Sequence, residues 1–211
     1  MDDETELYIE SHIDPEGDTL RGIYRATHLR HLYPRMCSGH LQGRMLKMFV
    51  RMIAPREVLE IGTYTGYSAL CLAEGLADDS CRVRTVEIND EAEDFIRSNL
   101  AASPYGRRVE LYIGDALEVL PRVGGEYDLV LIDGNKRDYV EYYELTLGMV
   151  RPGGFILADN TLWSGKVADA AGKVDAQTAG ILRFNDHVAA DTRVEKVIIP
   201  IRDGLTIIRK I

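Results

Sequence analysis

Oxygen-bearing side chains follow two apolar runs in the second half of this sequence. Asp133 comes directly after the run 129–132, and Asp159 and Asn160 follow the run 155–158. Carboxylate and amide oxygens, with no histidine or cysteine among them, suit a hard cation, with Mg²⁺ first and Mn²⁺ or Ca²⁺ as alternatives. Taken singly, each of these residues is also a common cap or turn residue. Because each follows a predicted strand, we interpret the three together as a metal site.

A loop bounded by two glycines, Gly62 and Gly66, joins a strand-like run to a helix-like run. Such a turn brings backbone N–H groups close to a ligand. The spacing is Gly-x-x-x-Gly and not the dinucleotide pattern Gly-x-Gly-x-x-Gly, and the neighbouring Glu60 disfavours a phosphate. The loop therefore predicts a ligand with an amine and hydroxyls, and a tight turn without a ligand is the alternative.

Two further acids stand at strand ends before the metal residues. Glu87 lies 25 residues past Gly62, close to the offset of about 20 residues at which an acid holds ribose hydroxyls. We interpret Glu87 as a ligand to a vicinal diol, because a carboxylate can accept both hydroxyl protons. Asp115 could accept a hydrogen bond from an adenine amine, and it is equally well placed as a helix N-cap.

Strand-like and helix-like runs alternate after residue 54, which predicts an α/β fold with a doubly wound, mostly parallel sheet. Only residues 200–204 separate the last two strands, so these must pair antiparallel, because a parallel crossover needs a dozen residues or more. The first third is helical, with helices predicted over 4–13, from an Asp14 N-cap with Pro15 at the first helical position toward His31, and over 41–53. The sequence predicts one domain, with a helical extension at 1–53 and the sheet at 54–211.

The bulk properties are those of an ordinary globular protein. The chain has 211 residues and a net charge of −9, which gives no general attraction to nucleic acid or to an anionic membrane. No apolar stretch approaches the roughly 20 residues that span a bilayer, and the acidic N-terminus lacks the features of a signal peptide. Three scattered cysteines support neither disulfides nor zinc. We expect a cytoplasmic protein.

The motifs at the strand ends resemble those of the cation-dependent O-methyltransferases, the family of the catechol and caffeoyl-CoA enzymes. The resemblance runs from about Met36 to the C-terminus. It is carried by Glu60-Ile-Gly-Thr-Tyr-Thr-Gly-Tyr-Ser68, Val86-Glu-Ile88, Gly114-Asp-Ala116, Asp133-x-x-Lys136 and Asp159-Asn-x-Leu-Trp163. It implies a Rossmann-like sheet of seven strands with the last one antiparallel, and S-adenosylmethionine (SAM) as methyl donor.

The resemblance also implies roles for individual residues. Asp133, Asp159 and Asn160 would bind the cation, and Lys136 would be the general base beside Asp133. Glu87 would hold the ribose. The residues implied in donor binding are Met36, Ser38, Glu60, Gly62, Tyr64, Ser68, Glu87, Ile88, Asp115, Ala116 and Asp133.

The expected reaction is methyl transfer to a hydroxyl of a small aromatic vicinal diol, which Trp163, Lys136 and Arg202 would contact. Trp163 could instead pack its loop onto the sheet, and the loop 165–175 could act as a lid. A homodimer built from the N-terminal helices is expected from the family.

Two other functions stay open from the sequence. One is methylation of a hydroxylated uridine in tRNA, for which a local basic face would be needed, formed by Arg25, Arg30, Arg35, Arg44 and Arg51. The other is a non-catalytic nucleoside-binding protein of the same fold, against which the presence of Lys136 with all three oxygen ligands argues.

Overall fold

The computed structural model describes residues 3–168 and 174–211. Its helices are α1 (Asp3–His12), α2 (Gly17–Arg30), α3 (Gly39–Ile53), α4 (Tyr67–Gly75), α5 (Glu93–Ala101), α6 (Ala116–Val123), α7 (Tyr139–Met149) and α8 (Ala176–Ala190). Its strands are β1 (Glu57–Ile61), β2 (Arg82–Glu87), β3 (Val109–Ile113), β4 (Tyr127–Ile132), β5 (Val150–Asp159), β6 (Val194–Ile199) and β7 (Leu205–Lys210).

The strands form one seven-stranded sheet in the order β3-β2-β1-β4-β5-β7-β6. β4 is parallel to both β1 and β5, whereas β7 runs antiparallel to β5 and to β6. The structure thus confirms the predicted mostly parallel sheet with a reversed strand at its C-terminal end. None of the helices in the described ranges combines the length and apolar character that crossing a bilayer requires.

The chain forms two compact units, and the first comprises residues 1–57 and 63–114. Here α3 packs on α4 so closely that a Cβ atom at Gly43 would lie 2.8 Å from Cys71 Sγ. Arg44 and Lys47 of α3 both pair with Glu74 of α4, at 2.7 and 2.8 Å. Burial opposes ionisation of Glu74, but the hydrogen bonds from the two cations outweigh it and lower the pKa of this carboxyl.

The second unit comprises residues 58–62 and 115–211. Its strand β4 reads Tyr-Asp-Leu-Val-Leu-Ile, and the apolar residues of this strand are buried, as expected of a parallel strand covered on both faces. Two buried tyrosines of α7, Tyr139 and Tyr143, pack edge-on against Phe184 of α8. Asp175 caps α8 by accepting a hydrogen bond from Thr178 N at 2.9 Å.

The predicted start of α2 is wrong. The helix begins at Gly17, with Glu16 and not Asp14 in the capping position. Tertiary contacts hold the preceding residues out of the helix, because the Asp14 carbonyl bonds to the His40 ring at 2.7 Å and the Glu16 carboxylate accepts from Tyr67 Oη at 2.5 Å. Contacts with residues distant in sequence therefore determine where α2 starts, and the local capping preference does not.

Candidate active site

Gly62 begins the loop after β1 with a φ of +100°, a conformation that favours glycine. A Cβ atom at this position would lie 2.3 Å from the carbonyl oxygen of Asp133. The Asp133 N–H in turn donates to the Ile61 carbonyl at 2.8 Å. The glycine thus permits the start of the loop to lie directly against the backbone that follows β4.

Glu87, the last residue of β2, holds two backbone N–H groups with its carboxylate. Oε2 accepts from Tyr64 N at 2.7 Å and Oε1 from Asn89 N at 2.9 Å. The first bond stabilises Tyr64 in a left-handed conformation, at φ 53°. Because a carboxylate offers about four lone-pair positions, Glu87 keeps the capacity to accept further hydrogen bonds from a ligand.

Tyr64 packs against the segment that follows α2. Its hydroxyl donates to the Tyr33 carbonyl at 3.0 Å, and its ring lies edge-on to His31 with centroids 5.3 Å apart. Burial, followed by the nearby Cys37 and the negative charge of Glu87, raises the pKa of Tyr64. Tyr64 therefore stays a neutral phenol at physiological pH.

The remaining residues of the predicted donor set differ in exposure. Glu60 is fully buried in β1, which is rare for a carboxylate. Met36 and Ile88 are exposed, Ser68 is buried in the first turn of α4, and Ser38 precedes α3. Asp115 caps α6 by accepting from Leu117 N at 2.9 Å, and Ala116 opens that helix. The capping interpretation of Asp115 is thus realised, and its predicted contact with adenine stays a prediction.

The second unit brings the predicted cation ligands to adjacent strand ends. β4 and β5 are parallel, and their register pairs Ile132 with Ala158. Asp133 directly follows β4 and Asp159 is the last residue of β5, and neighbouring strands lie about 5 Å apart. Asp159 is buried, and its Oδ1 accepts from the N–H of Asn160 at 2.8 Å.

Lys136 is buried beside these acids, with 8% of its surface exposed. Its Nζ donates to Asp133 Oδ1 and to the hydroxyl of Tyr139, both at 2.7 Å. Lysine is almost never this buried unless it is paired. The structure therefore excludes the solvated loop-tip lysine that was the alternative interpretation of the sequence.

The loop after β5 is tied to the turn between β6 and β7. Leu162 N donates to the Asp203 carbonyl at 2.7 Å, and Asn160, Trp163 and Arg202 all have positive φ angles. The indole Nε1 of Trp163 is buried and has no hydrogen-bond partner among the described residues. Residues 169–173 of the predicted lid lie outside the described residues, so the lid stays a prediction.

The prediction of a basic face for tRNA binding is wrong for one of its five arginines. Arg44 is buried and pairs with Glu74 through both terminal nitrogens, at 3.2 and 2.7 Å. The charge of Arg44 is therefore paired between α3 and α4, and it does not contribute to a basic face for tRNA.

Comparison with known proteins shows to which family this chain belongs. The family model described as O-methyltransferase matches residues 10–211. A caffeoyl-CoA O-methyltransferase of Petroselinum crispum is 30% identical over 96% of this chain and 88% of its own, and caffeoyl-CoA O-methyltransferase 2 of Zea mays is 31% identical over 100% and 83%. The chain belongs to the caffeoyl-CoA O-methyltransferase-like family of SAM-dependent O-methyltransferases.

Solved structures of O-methyltransferases agree with this assignment. The O-methyltransferase from Bacillus cereus in complex with SAH superimposes with a TM-score of 0.91 at 30% identity, covering 99% of this chain and 97% of its own. The O-methyltransferase TomG from Streptomyces achromogenes, involved in tomaymycin synthesis and solved with SAM, gives 0.90 at 30% identity, covering 98% and 96%. The protein is thus an O-methyltransferase that uses SAM, and these findings give no support to a tRNA substrate.

The sequence missed Tyr139 and Gly180 as neighbours of the site. Tyr139 follows Lys136 by three residues at the start of α7, a spacing that brings two side chains together, so the signal was present. Gly180 lies 44 positions after Lys136, and no local pattern indicates that it contacts that residue's backbone.

Proposed function

We propose that this O-methyltransferase methylates a hydroxyl of a small aromatic vicinal diol, such as a catechol, in a reaction that depends on a divalent cation. The observation that carries the proposal is the pair of aspartates at the ends of adjacent parallel strands, with the buried Lys136 bonded to one of them. A structural ion pair would need only one of the two acids.

The residues fit a hard divalent cation. Asp133, Asp159 and Asn160 offer only oxygen donors, as Mg²⁺ prefers, with Mn²⁺ and Ca²⁺ as the other candidates. Two carboxylates beside a single amine leave a net negative charge, whether or not that amine carries a proton, and a dication would complement it. When bound, the cation would orient the diol and favour ionisation of its hydroxyl, which otherwise has a pKa near 10.

Lys136 would accept the proton of the reacting hydroxyl as that oxygen attacks the methyl carbon of SAM. The O–C bond would form while the C–S bond breaks, and S-adenosylhomocysteine would leave as a neutral thioether. The hydrogen bond to Asp133 keeps the Lys136 amine at the end of β4, where the diol would be held. Orientation of this kind contributes up to about 7–11 kcal/mol in aligned intramolecular reactions. Trp163 and Arg202 are the proposed further contacts to the acceptor.

On the donor side, Glu87 would hold the ribose hydroxyls while its backbone bonds keep the glycine loop in shape. Asp115, Ala116 and Ile88 would face the adenine. The remaining proposed donor residues are Met36, Ser38, Glu60, Gly62, Tyr64, Ser68 and Asp133. A homodimer and a cytoplasmic location remain predictions from the family and from composition.

A turnover screen tests the acceptor. Purified protein with SAM is offered catechols, matched monophenols, caffeoyl esters and tRNA bearing hydroxyuridine, each with and without Mg²⁺. Methylated products are measured by mass spectrometry. We expect methylated catechol or caffeoyl product only with Mg²⁺. Product from tRNA alone, or from a monophenol at the same rate as from the diol, would contradict the proposal.

A further inference from the structure

Tyr139 connects the two strand ends of the candidate site through one hydroxyl group. It is fully buried at the start of α7. Its oxygen accepts a hydrogen bond from Lys136 Nζ at 2.7 Å, and its proton is directed at the Asp159 carbonyl, 2.9 Å away. The Ile132 carbonyl lies 3.3 Å from the same oxygen. One phenol thus contacts the predicted base and the backbone of a predicted cation ligand.

This arrangement has a consequence for the direction of the Lys136 lone pair. A neutral amine has two N–H bonds and one lone pair in tetrahedral positions. Asp133 Oδ1 and the Tyr139 oxygen would take the two N–H bonds. The lone pair must then occupy the remaining direction, which is the one available for the proton of a substrate hydroxyl. With Asp133 alone, the amine could rotate about its terminal bond.

The backbone of Lys136 is fixed from another side by α8. A Cβ atom at Gly180 would lie 2.2 Å from the Lys136 carbonyl oxygen, so only glycine lets the helix approach this closely. Arg183, one turn further along α8, donates to the Arg137 carbonyl at 3.0 Å. Lys136 is therefore held through its main chain by α8 and through its amine by Asp133 and Tyr139.

We infer that Tyr139 is a positioning residue for the methyl-transfer step, whose hydroxyl aims the Lys136 amine at the acceptor hydroxyl. The inference rests on the proposed function, because it assigns the base role to Lys136. Removing only the hydroxyl, as in Tyr139→Phe, should lower kcat about 10- to 100-fold, the usual effect of losing a hydrogen-bonded partner of a functional group. The KM for SAM should not change, because the donor does not touch Tyr139 in the proposed arrangement.

The chain provides a matched control in Tyr143→Phe. Tyr143 lies one turn later on α7, is also fully buried, also packs edge-on against Phe184, and also hydrogen-bonds through its hydroxyl, to Asp191 at 2.8 Å. Both variants should lower the melting temperature, because each loses a buried hydrogen bond. Only Tyr139→Phe should lower kcat, measured with catechol and Mg²⁺ at saturation.

A second measurement does not use turnover. Native protein is treated with acetic anhydride, and the acetylation rate of Lys136 is followed by peptide mass spectrometry. We expect faster acetylation in Tyr139→Phe, because the amine loses one of its two anchors, and the wild-type rate in Tyr143→Phe. Equal kcat in Tyr139→Phe and wild type, equal loss in both variants, or an unchanged acetylation rate would overturn the inference.

Two further results distinguish a failure of the role of Tyr139 from a failure of the proposed function and from misfolding of the variant. Full turnover in Lys136→Ala would refute the base role itself, whereas loss of turnover there with normal turnover in Tyr139→Phe would refute only the role of Tyr139. If Tyr139→Phe does not fold, a crystal structure of the wild-type protein tests whether Tyr139 contacts the Lys136 amine. Lys136 Nζ more than 3.5 Å from the Tyr139 oxygen would overturn the inference.

Discussion

At the scale of single residues, the two aspartates at the ends of β4 and β5 carry the proposed chemistry. Asp159→Asn keeps the shape of the side chain and removes its charge. We expect kcat to fall by about a hundredfold or more, because the cation would lose a charged ligand worth several kcal/mol. SAM affinity, measured by calorimetry, should stay within about twofold.

A control for Asp159 exists on the same sheet. Asp128 pairs with Arg151 at 2.5 Å. It is the second residue of β4, whereas the predicted site lies beyond the carboxyl end of that strand. Asp128→Asn removes a carboxylate from that strand, and its kcat should match the wild type. Equal losses in the two variants would mean that sheet stability and not cation binding explains the effect.

Glu87 is the residue on which donor affinity is expected to depend. Glu87→Gln retains one acceptor oxygen for the backbone but loses the charge that strengthens hydrogen bonds to ribose. The dissociation constant of SAM should rise about 10- to 100-fold, as measured by calorimetry. Glu110→Gln, which alters an acid of neighbouring β3 that pairs with Arg84, should bind SAM normally; a similar weakening there would argue against the ribose assignment.

At the scale of secondary-structure elements, the contact of α8 with the turn that begins at Lys136 depends on a glycine. Gly180→Ala should destabilise the protein by about 1–3 kcal/mol, because the added methyl group overlaps the Lys136 carbonyl. Gly148→Ala in α7 adds the same atom in open space and should stabilise by about 0.5 kcal/mol. Urea unfolding measures both, and effects of the same sign would contradict the close packing.

Periodicity and turn length were sufficient to predict the elements and the reversed strand, because these follow from local pattern and from the shortness of the 200–204 connection. The start of α2 could not be predicted, because Tyr67 and His40 set it from a distance. The order of the acids along the strands predicted Asp133 and Asp159 at neighbouring ends. The burial of Lys136 could not be predicted, because it depends on packing against α8. No local motif indicates that α8 approaches this residue.

At the scale of the whole molecule, acid sensitivity should depend in part on the ion pairs between α3 and α4. The folded state lowers the pKa of Glu74 below its ordinary value of 4.5. The sign follows from this shift: the stabilisation is complete above about pH 4.5 and is lost as the pH falls through the lower, folded-state pKa.

Glu74→Gln should therefore be less stable than the wild type at neutral pH, and the difference should shrink in acid. Denaturant unfolding between pH 7 and pH 3 measures it. Glu126→Gln changes an exposed acid and should leave the pH dependence as it is. A stability difference for Glu74→Gln that stays constant down to pH 3 would contradict the assigned shift.

The cation dependence of turnover is the most direct test of the proposed function. Protein dialysed against EDTA is assayed for methyl transfer from SAM to a catechol before and after Mg²⁺ is added, and SAM binding is measured in both states. We expect no turnover without the cation, recovery of turnover when Mg²⁺ is added, and SAM binding in both states. Equal turnover in EDTA and in Mg²⁺ would contradict it.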